Sequence, residues 1–358
     1  MRPHLGISRA VEQISQVFLK LGHSVCILAE GPLYQVSKIG SQLTVISLPS
    51  DRHRFKSMIL LGVPHPVSSW LSTTKEYLPQ GRIVVSPVVG LQSLIFKKSH
   101  SANYLKVITL YTPYSKYSPL GILYFVLQRK SLAFADIVVG NSKTILDKFK
   151  VSESNRVRVI PNFNSLPISP ASKTDLLKYD FIWIGSLTLR KGVDRLLHFL
   201  IINRGAKSVQ VIWSKSRFSF FPLLILRILE EKGWCKTQSA ISDDELSTLI
   251  ADSKALLSTT RFESFGMTLV EAASHGKGTI GIRAPGVLET LPEISAGAIY
   301  FKKISEVSKY LKSINFDETT RLLGSNAKRF NSLKYNKALI SLLWNNLPIS
   351  HETLASPE

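Results

Sequence analysis

Between Ala255 and Ile282 the chain places a strand, a glycine turn, a helix and a second strand within 28 residues. Ala255-Leu-Leu-Ser258 is a short apolar run that ends in polar Ser258, Thr259 and Thr260, the pattern of a buried parallel strand reaching its carboxyl end. Gly266 permits a tight turn, Met267 to Ala273 reads as a helix, and Thr279 to Ile282 returns as a strand. A strand, crossover helix and strand commit the surrounding chain to a parallel α/β sheet.

The rest of the sequence repeats that alternation. Strands are predicted at Val25 to Ala29, Thr44 to Leu48, Ile83 to Ser86, Val107 to Leu110, Ile137 to Val139 and Val157 to Ile160. Further strands are predicted at Phe181 to Ile184 and Val209 to Trp213. With 358 residues and 44% hydrophobic content the chain can bury two sizeable cores. The run from Pro161 to Lys178, rich in Pro, Ser and Asn, reads as a connection. The expected division is a first Rossmann-like domain over 1–165, a linker over 166–178 and a second Rossmann-like domain over 179–330. No internal repeat and no low-complexity tract is evident.

The helix after Gly266 carries chemistry as well as structure. The first backbone N–H groups of a helix lack partners within it, and the dipole makes that end partly positive. The N–H groups of Phe265, Gly266, Met267 and Thr268 are therefore predicted to suit a phosphate. Glu263 precedes the helix and Glu271 lies inside it, eight residues on. Ionised carboxylates only accept hydrogen bonds, so the pair suits hydroxyl groups, Glu263 on a sugar and Glu271 on a ribose. An isolated pair at this spacing would read equally as one capping acid and one acid paired to lysine, so the context decides.

That context resembles the retaining GT-B glycosyltransferases of the family 4 type, the glycosyl transferases group 1, whose signature is E-x7-E. Four further stretches line up with the family's. Asp180 to Leu197 resembles the strand, glycine turn and Lys-Gly loop that open the second domain. Ala135-Asp-Ile-Val-Val-Gly-Asn-Ser resembles a first-domain strand, and Val157-Arg-Val-Ile-Pro-Asn the strand entering the linker. Ile7 to Leu28 resembles the first helix and second strand, turning at Gly22-His23.

The resemblance covers nearly the whole chain and implies two doubly wound Rossmann-like domains facing a cleft. It also implies a helix over about 331–348 that crosses back to the first domain, with Tyr335 to Trp344 placed to do so. The implied activity is transfer of a sugar from a nucleotide-diphosphate donor to an acceptor hydroxyl with retained anomeric configuration, needing neither metal nor other cofactor. Lys191, between a buried strand and Gly192, is the implied cation at the diphosphate, with Glu263 beside it in catalysis. Gly185, Ser186, Arg190 and Gly6 join Glu271 and the helix start in holding the donor. An acceptor that is lipid-linked or a cell-surface glycan is expected.

Departures from the family's pattern affect the site more than the fold. Ser186 stands where an arginine usually follows the strand glycine, with Arg190 and Arg261 as candidates to replace it. Tyr111 stands where a first-domain histidine is common, Phe163 replaces the glycine of the linker turn, and Trp213-Ser-Lys replaces a glycine motif. Met1-Arg-Pro-His-Leu-Gly6 already looks like the loop that normally follows the first central strand, so that strand is expected to be missing through a truncated or misassigned start. These departures leave two other readings, a catalytically silent sugar-nucleotide-binding homologue and a nucleotide-sugar epimerase of the same fold.

The net charge of +20 calls for an anionic partner. Nucleic acid is disfavoured, because the bases come as scattered doublets with no basic tail and no recognised binding motif. An anionic membrane surface fits better, since Leu94-Ile-Phe96 precedes Lys97-Lys98 and Leu123 to Leu127 precedes Arg129-Lys130. The alternative is a pair of core helices with solvated lysines. Phe218 to Leu229 is the most apolar stretch, too short to span a bilayer, and reads as a buried helix opened by Pro222, with a membrane-dipping element as the alternative. Cys26 and Cys235 are the only cysteines, which fits a reducing compartment. With no apolar run of spanning length and no signal-peptide pattern, the expected location is the cytoplasm, at most peripheral on the membrane's inner face.

Overall fold

The computed structural model describes residues 15–16, 18–19, 22, 24–31, 35–49, 83–87, 105–110, 125–126, 129–130, 132–152, 154, 156–162, 166–167, 177–214, 220–291 and 297–327. The chain divides into two compact units, one of residues 1–140, 146–160 and 336–358, the other of 141–145 and 161–335.

In the first unit the described strands form two sheets. β1 (Val25–Gly31) pairs in parallel with β3 (Leu43–Pro49), which pairs antiparallel with β2 (Gln35–Ile39). β4 (Ile83–Pro87), β5 (Leu105–Leu110), β6 (Ile137–Gly140) and β7 (Val157–Val159) form a parallel sheet in that order. All six strands predicted for this part are present. β2 was not predicted, because Gln35-Val-Ser-Lys-Ile is half polar and lies at a sheet edge. Among the described residues no strand joins the two sheets, β1 ending one sheet and β4 the other. Val107, Ile108, Leu110, Ile137, Val138 and Val139 are buried, and Phe149, at the end of α1 (Lys143–Phe149), packs on Phe125 with ring centroids 5.4 Å apart. Residues 1–14, which hold Gly6, and residues 328–358, which hold the predicted crossover helix, lie outside the described residues, as do Lys97-Lys98, Tyr111 and Phe163.

The second unit is one six-stranded, wholly parallel sheet. Its order is β10 (Lys236–Ser239), β9 (Val209–Ser214), β8 (Tyr179–Ser186), β11 (Ser253–Ser258), β12 (Gly278–Ile282), β13 (Ala298–Phe301). The strands buried on both sides read as continuous apolar runs, as parallel sheets require: Phe181, Ile182 and Trp183 of β8 and Ala255, Leu256 and Leu257 of β11 are almost wholly excluded from water. β8 presents Phe181 and Trp183 to one face and Ile182 to the other, and a helix layer covers each.

One layer holds α2 (Val193–Asn203), α3 (Phe220–Glu231), α7 (Ile304–Ser313) and α8 (Phe316–Ala327), which contribute Leu196, Leu200, Leu226, Val307 and Leu323 to the core. The other holds α4 (Asp243–Ala251), α5 (Met267–Ser274) and α6 (Val287–Thr290), contributing Ile250, Leu269 and Val287. Ser242 starts α4 in the expected manner, its hydroxyl accepting from the Glu245 N–H at 3.1 Å.

The apolar stretch from Phe218 requires a correction. Its helix starts at Phe220, with Pro222 inside the first turn, and it is not buried: only Leu226 and Leu229 are inside, while Phe220 and Phe221 are 72% and 73% exposed. A segment apolar all round gives no sign of which side faces water.

Candidate active site

The second sheet has a topological switch. From β8 the chain proceeds outward to β9 and β10, then returns to β11 on the opposite side of β8 and continues to β12 and β13. Adjacent loops leaving the carboxyl ends of the strands at such a point diverge and leave a crevice, where ligands of open α/β sheets bind. Here those loops are 187–192 after β8 and 259–266 after β11.

Backbone and hydroxyl contacts fasten the two loops together. The Thr259 hydroxyl donates to the Lys191 carbonyl at 3.1 Å and accepts from the Trp183 indole N–H at 2.9 Å. The Thr260 hydroxyl lies 3.1 Å from the Arg190 carbonyl, which also accepts from the Arg261 N–H at 2.9 Å. The Arg195 guanidinium donates to the carbonyls of Thr259 and Thr260 at 3.3 and 3.1 Å. Gly192, at φ 73°, makes the approach possible, since a Cβ there would stand 1.9 Å from the Thr259 carbonyl oxygen. Thr259, Thr260 and Arg195 were not anticipated as site residues; the signal for the two threonines is the polar end of an apolar strand, and Arg195, inside α2, has none.

The fastening brings together two residues 72 positions apart: the Lys191 ammonium forms an ion pair with Glu263. Both side chains are mostly excluded from water. The Arg190 guanidinium stands 3.9 Å from the other Glu263 oxygen and 3.4 Å from the Phe262 carbonyl, so it points towards the same carboxylate. Glu263 is held from behind, its N–H donating to the Pro285 carbonyl at 3.2 Å, and a Cβ on Gly286 would lie 1.9 Å from its carbonyl oxygen. Gly185 keeps the floor open beside Lys191, whose Cβ lies 3.5 Å from where a Gly185 Cβ would be. The Ser186 hydroxyl is 3.3 Å from that of Thr188, which accepts from the Lys191 N–H at 3.3 Å.

Arg261 does not take the place of the absent arginine. It forms a two-pronged pair with Asp194, both bonds 2.6 Å, and donates to the Leu189 carbonyl at 2.7 Å. The hydrogen-bonded guanidinium holds the Asp194 carboxyl below its usual range, against the opposing effect of partial burial. Among the described residues Arg190, not Arg261, is the arginine beside the Lys191–Glu263 pair.

Phe265, Gly266, Met267 and Thr268 stand at the amino end of α5, with Gly266 as its left-handed cap at φ 85°. The Thr290 hydroxyl bonds to the Phe265 carbonyl and fixes this corner to α6. Glu271, four residues into α5, is 2% exposed. His275 at the end of α5 also escaped the sequence reading. Its Nδ1 lies 2.8 Å from the Glu271 carbonyl and its Nε2 2.8 Å from the Ser247 hydroxyl, and burial above all lowers its pKa below 6.5.

Residues 168–330 match the sequence model of the glycosyl transferases group 1. The matched segment lies within the second unit, so the likeness in sequence is one of that unit. None of the curated proteins matches it in sequence. Solved structures extend the likeness to the fold of the chain. Sucrose-phosphate synthase from Thermosynechococcus elongatus superposes with a TM-score of 0.77 over 95% of this chain and 93% of that one, at 14% identity. Anabaena HepE, in complex with UDP and glucose, gives 0.67 over 89% and 99% at 17% identity. The lipopolysaccharide outer core galactosyltransferase WaaB in its apo form gives 0.57 over 86% and 85%, also at 17% identity. The chain thus shares the GT-B fold of these structures, and Lys191, Arg190, Glu263, Glu271 and the α5 start all lie inside the matched segment.

Proposed function

We propose that this chain is a retaining glycosyltransferase that moves a sugar from a nucleotide-diphosphate donor to the hydroxyl of a lipid-linked or cell-surface glycan. The observation that carries the reading is the Lys191–Glu263 ion pair at the switch point of the second sheet. A partly buried ammonium beside a helix amino end suits a diphosphate, and a carboxylate bonded to that ammonium is poised for the hydroxyls of the attached sugar. HepE, of the same fold, holds UDP and glucose, and WaaB acts on the lipopolysaccharide outer core, which supports a nucleotide-sugar donor and a glycan acceptor.

In the reaction the bond from the anomeric carbon to the diphosphate oxygen breaks as the acceptor oxygen forms its new bond on the same face. The leaving oxygen takes the acceptor's proton. Negative charge grows on the diphosphate, where Lys191, Arg190 and the N–H groups of Met267 and Thr268 oppose it without a metal in this account. Glu263 orients the donor sugar by accepting from its hydroxyls, and Glu271, deep in α5, accepts from the ribose.

Two variants test these roles. Glu271→Gln is expected to raise the donor Kd by roughly tenfold or more, while Glu263→Gln lowers kcat by roughly a hundredfold with donor affinity little changed. NMR of the product gives the anomeric configuration. Inversion would reject the retaining mechanism, and donor binding without turnover against a panel of glycan acceptors would mark a silent homologue.

A further inference from the structure

Among the described residues, helix α3 carries an exposed apolar face. Phe220, Phe221, Leu224, Ile225 and Ile228 are exposed, at 72%, 73%, 48%, 39% and 45%, and their spacing gathers them into one stripe along the helix. Phe220 and Phe221 meet edge to face with centroids 5.5 Å apart, a double aromatic wedge at the amino end. An isolated exposed leucine needs no explanation, but a row of five large apolar side chains marks a contact surface.

The charges beside the stripe indicate what covers it. Arg227 lies exposed on the same helix, and Lys232 and Lys236 lie exposed just beyond its carboxyl end. Of the two acids there, Glu230 is turned inward, its carboxylate accepting from the N–H and hydroxyl of Thr237 at 2.7 and 2.8 Å, so the three cations outnumber the two acids and Glu231 is the one exposed acid among them. A net charge of +20 repels a second copy and attracts an anionic surface. The helix has 12 residues, and no helix among the described residues is long and apolar enough to cross a membrane.

We infer that α3 docks the protein on an anionic lipid bilayer, lying in the interface plane with Phe220 and Phe221 inserted among the acyl chains and Arg227 at the headgroups. The helix follows β9, so its amino end lies at the carboxyl edge of the sheet, the edge that bears Lys191 and Glu263. Docking there leaves the candidate site at the height of the headgroups, where a lipid-linked hydroxyl is presented. The surface stands apart from the donor reading, because α3 contributes none of the donor-site residues.

Co-sedimentation of the full chain with vesicles tests the inference, reading binding and not turnover, so its outcome is separable from that of the transfer reading. The chain is expected to bind phosphatidylcholine–phosphatidylglycerol vesicles roughly tenfold or more tighter than phosphatidylcholine alone. The double variant Phe220→Ser, Phe221→Ser changes two exposed side chains and is expected to weaken that binding roughly tenfold or more while keeping the parent's Tm. Phe220→Trp should show a blue-shifted emission on mixed vesicles. Equal sedimentation of parent and double variant would overturn the inference, as would equal binding to both vesicle types. So would a concentration-dependent dimer that the double variant abolishes in a chain that does not bind vesicles.

Discussion

Two helices of the second unit, α2 and α5, begin in the same way and for different reasons. Each is opened by a left-handed glycine, Gly192 at φ 73° and Gly266 at φ 85°. A Cβ at Gly192 would strike the carbonyl oxygen of Thr259 at 1.9 Å, whereas at Gly266 it would strike Leu269 Cδ1 at 2.2 Å. The first obstacle is the backbone of a neighbouring loop, and the second is the tip of a side chain that can rotate. Gly192 therefore holds the loop after β8 against the loop after β11, which keeps Lys191 beside Glu263, while Gly266 shapes one helix end. A shared local conformation serves the assembly of the site in one case and local folding in the other.

Adding the missing Cβ at each position separates the two roles. Gly192→Ala is expected to destabilise the protein by about 3 to 4 kcal/mol, combining the positive-φ strain with forced separation of two backbones, and to abolish donor binding. Denaturant unfolding with nucleotide titration of the folded fraction would measure both. Gly266→Ala should lose about 1 to 2 kcal/mol, since Leu269 can give way and the φ strain remains. Equal losses from the two substitutions would show that left-handed strain alone accounts for both glycines.

The smallest expected effect concerns the far end of α5. Because the folded His275 pKa lies below 6.5, the unfolded chain takes up the proton first as pH falls. The stability contribution is complete above about pH 6.5 and is lost below it, by at most about 1.4 kcal/mol per pH unit. Thermal unfolding of the parent and His275→Asn across pH 7 to 5 checks this in one experiment, with the variant's profile flatter over that window.

The contrast between the glycines also marks what could be read from the sequence. Buried strands such as Phe181 to Ile184 and Ala255 to Ser258 were legible because parallel strands covered on both faces are continuous apolar runs. β10, Lys-Thr-Gln-Ser, was not, because an edge strand has a partner on one side only and its side chains remain polar. Lys191 and Glu263 were each legible from the family's motifs. Their pairing depends on β8 lying next to β11, which is long-range sheet order, and the reason for Gly192 is the passage of Thr259 across it. Helix α3 was misread for a related reason: composition records how apolar a segment is and says nothing of which neighbours cover it.

Lys191, fixed beside Glu263, is expected to bind the diphosphate of a nucleotide-sugar donor. Calorimetric titration of UDP, GDP and ADP into the parent and into Lys191→Ala tests it most directly. One nucleotide is expected to bind the parent, with an affinity that the substitution lowers roughly ten- to hundredfold while the Tm without ligand is little changed. Equal affinity in both proteins, or no nucleotide binding to a folded parent, would contradict it.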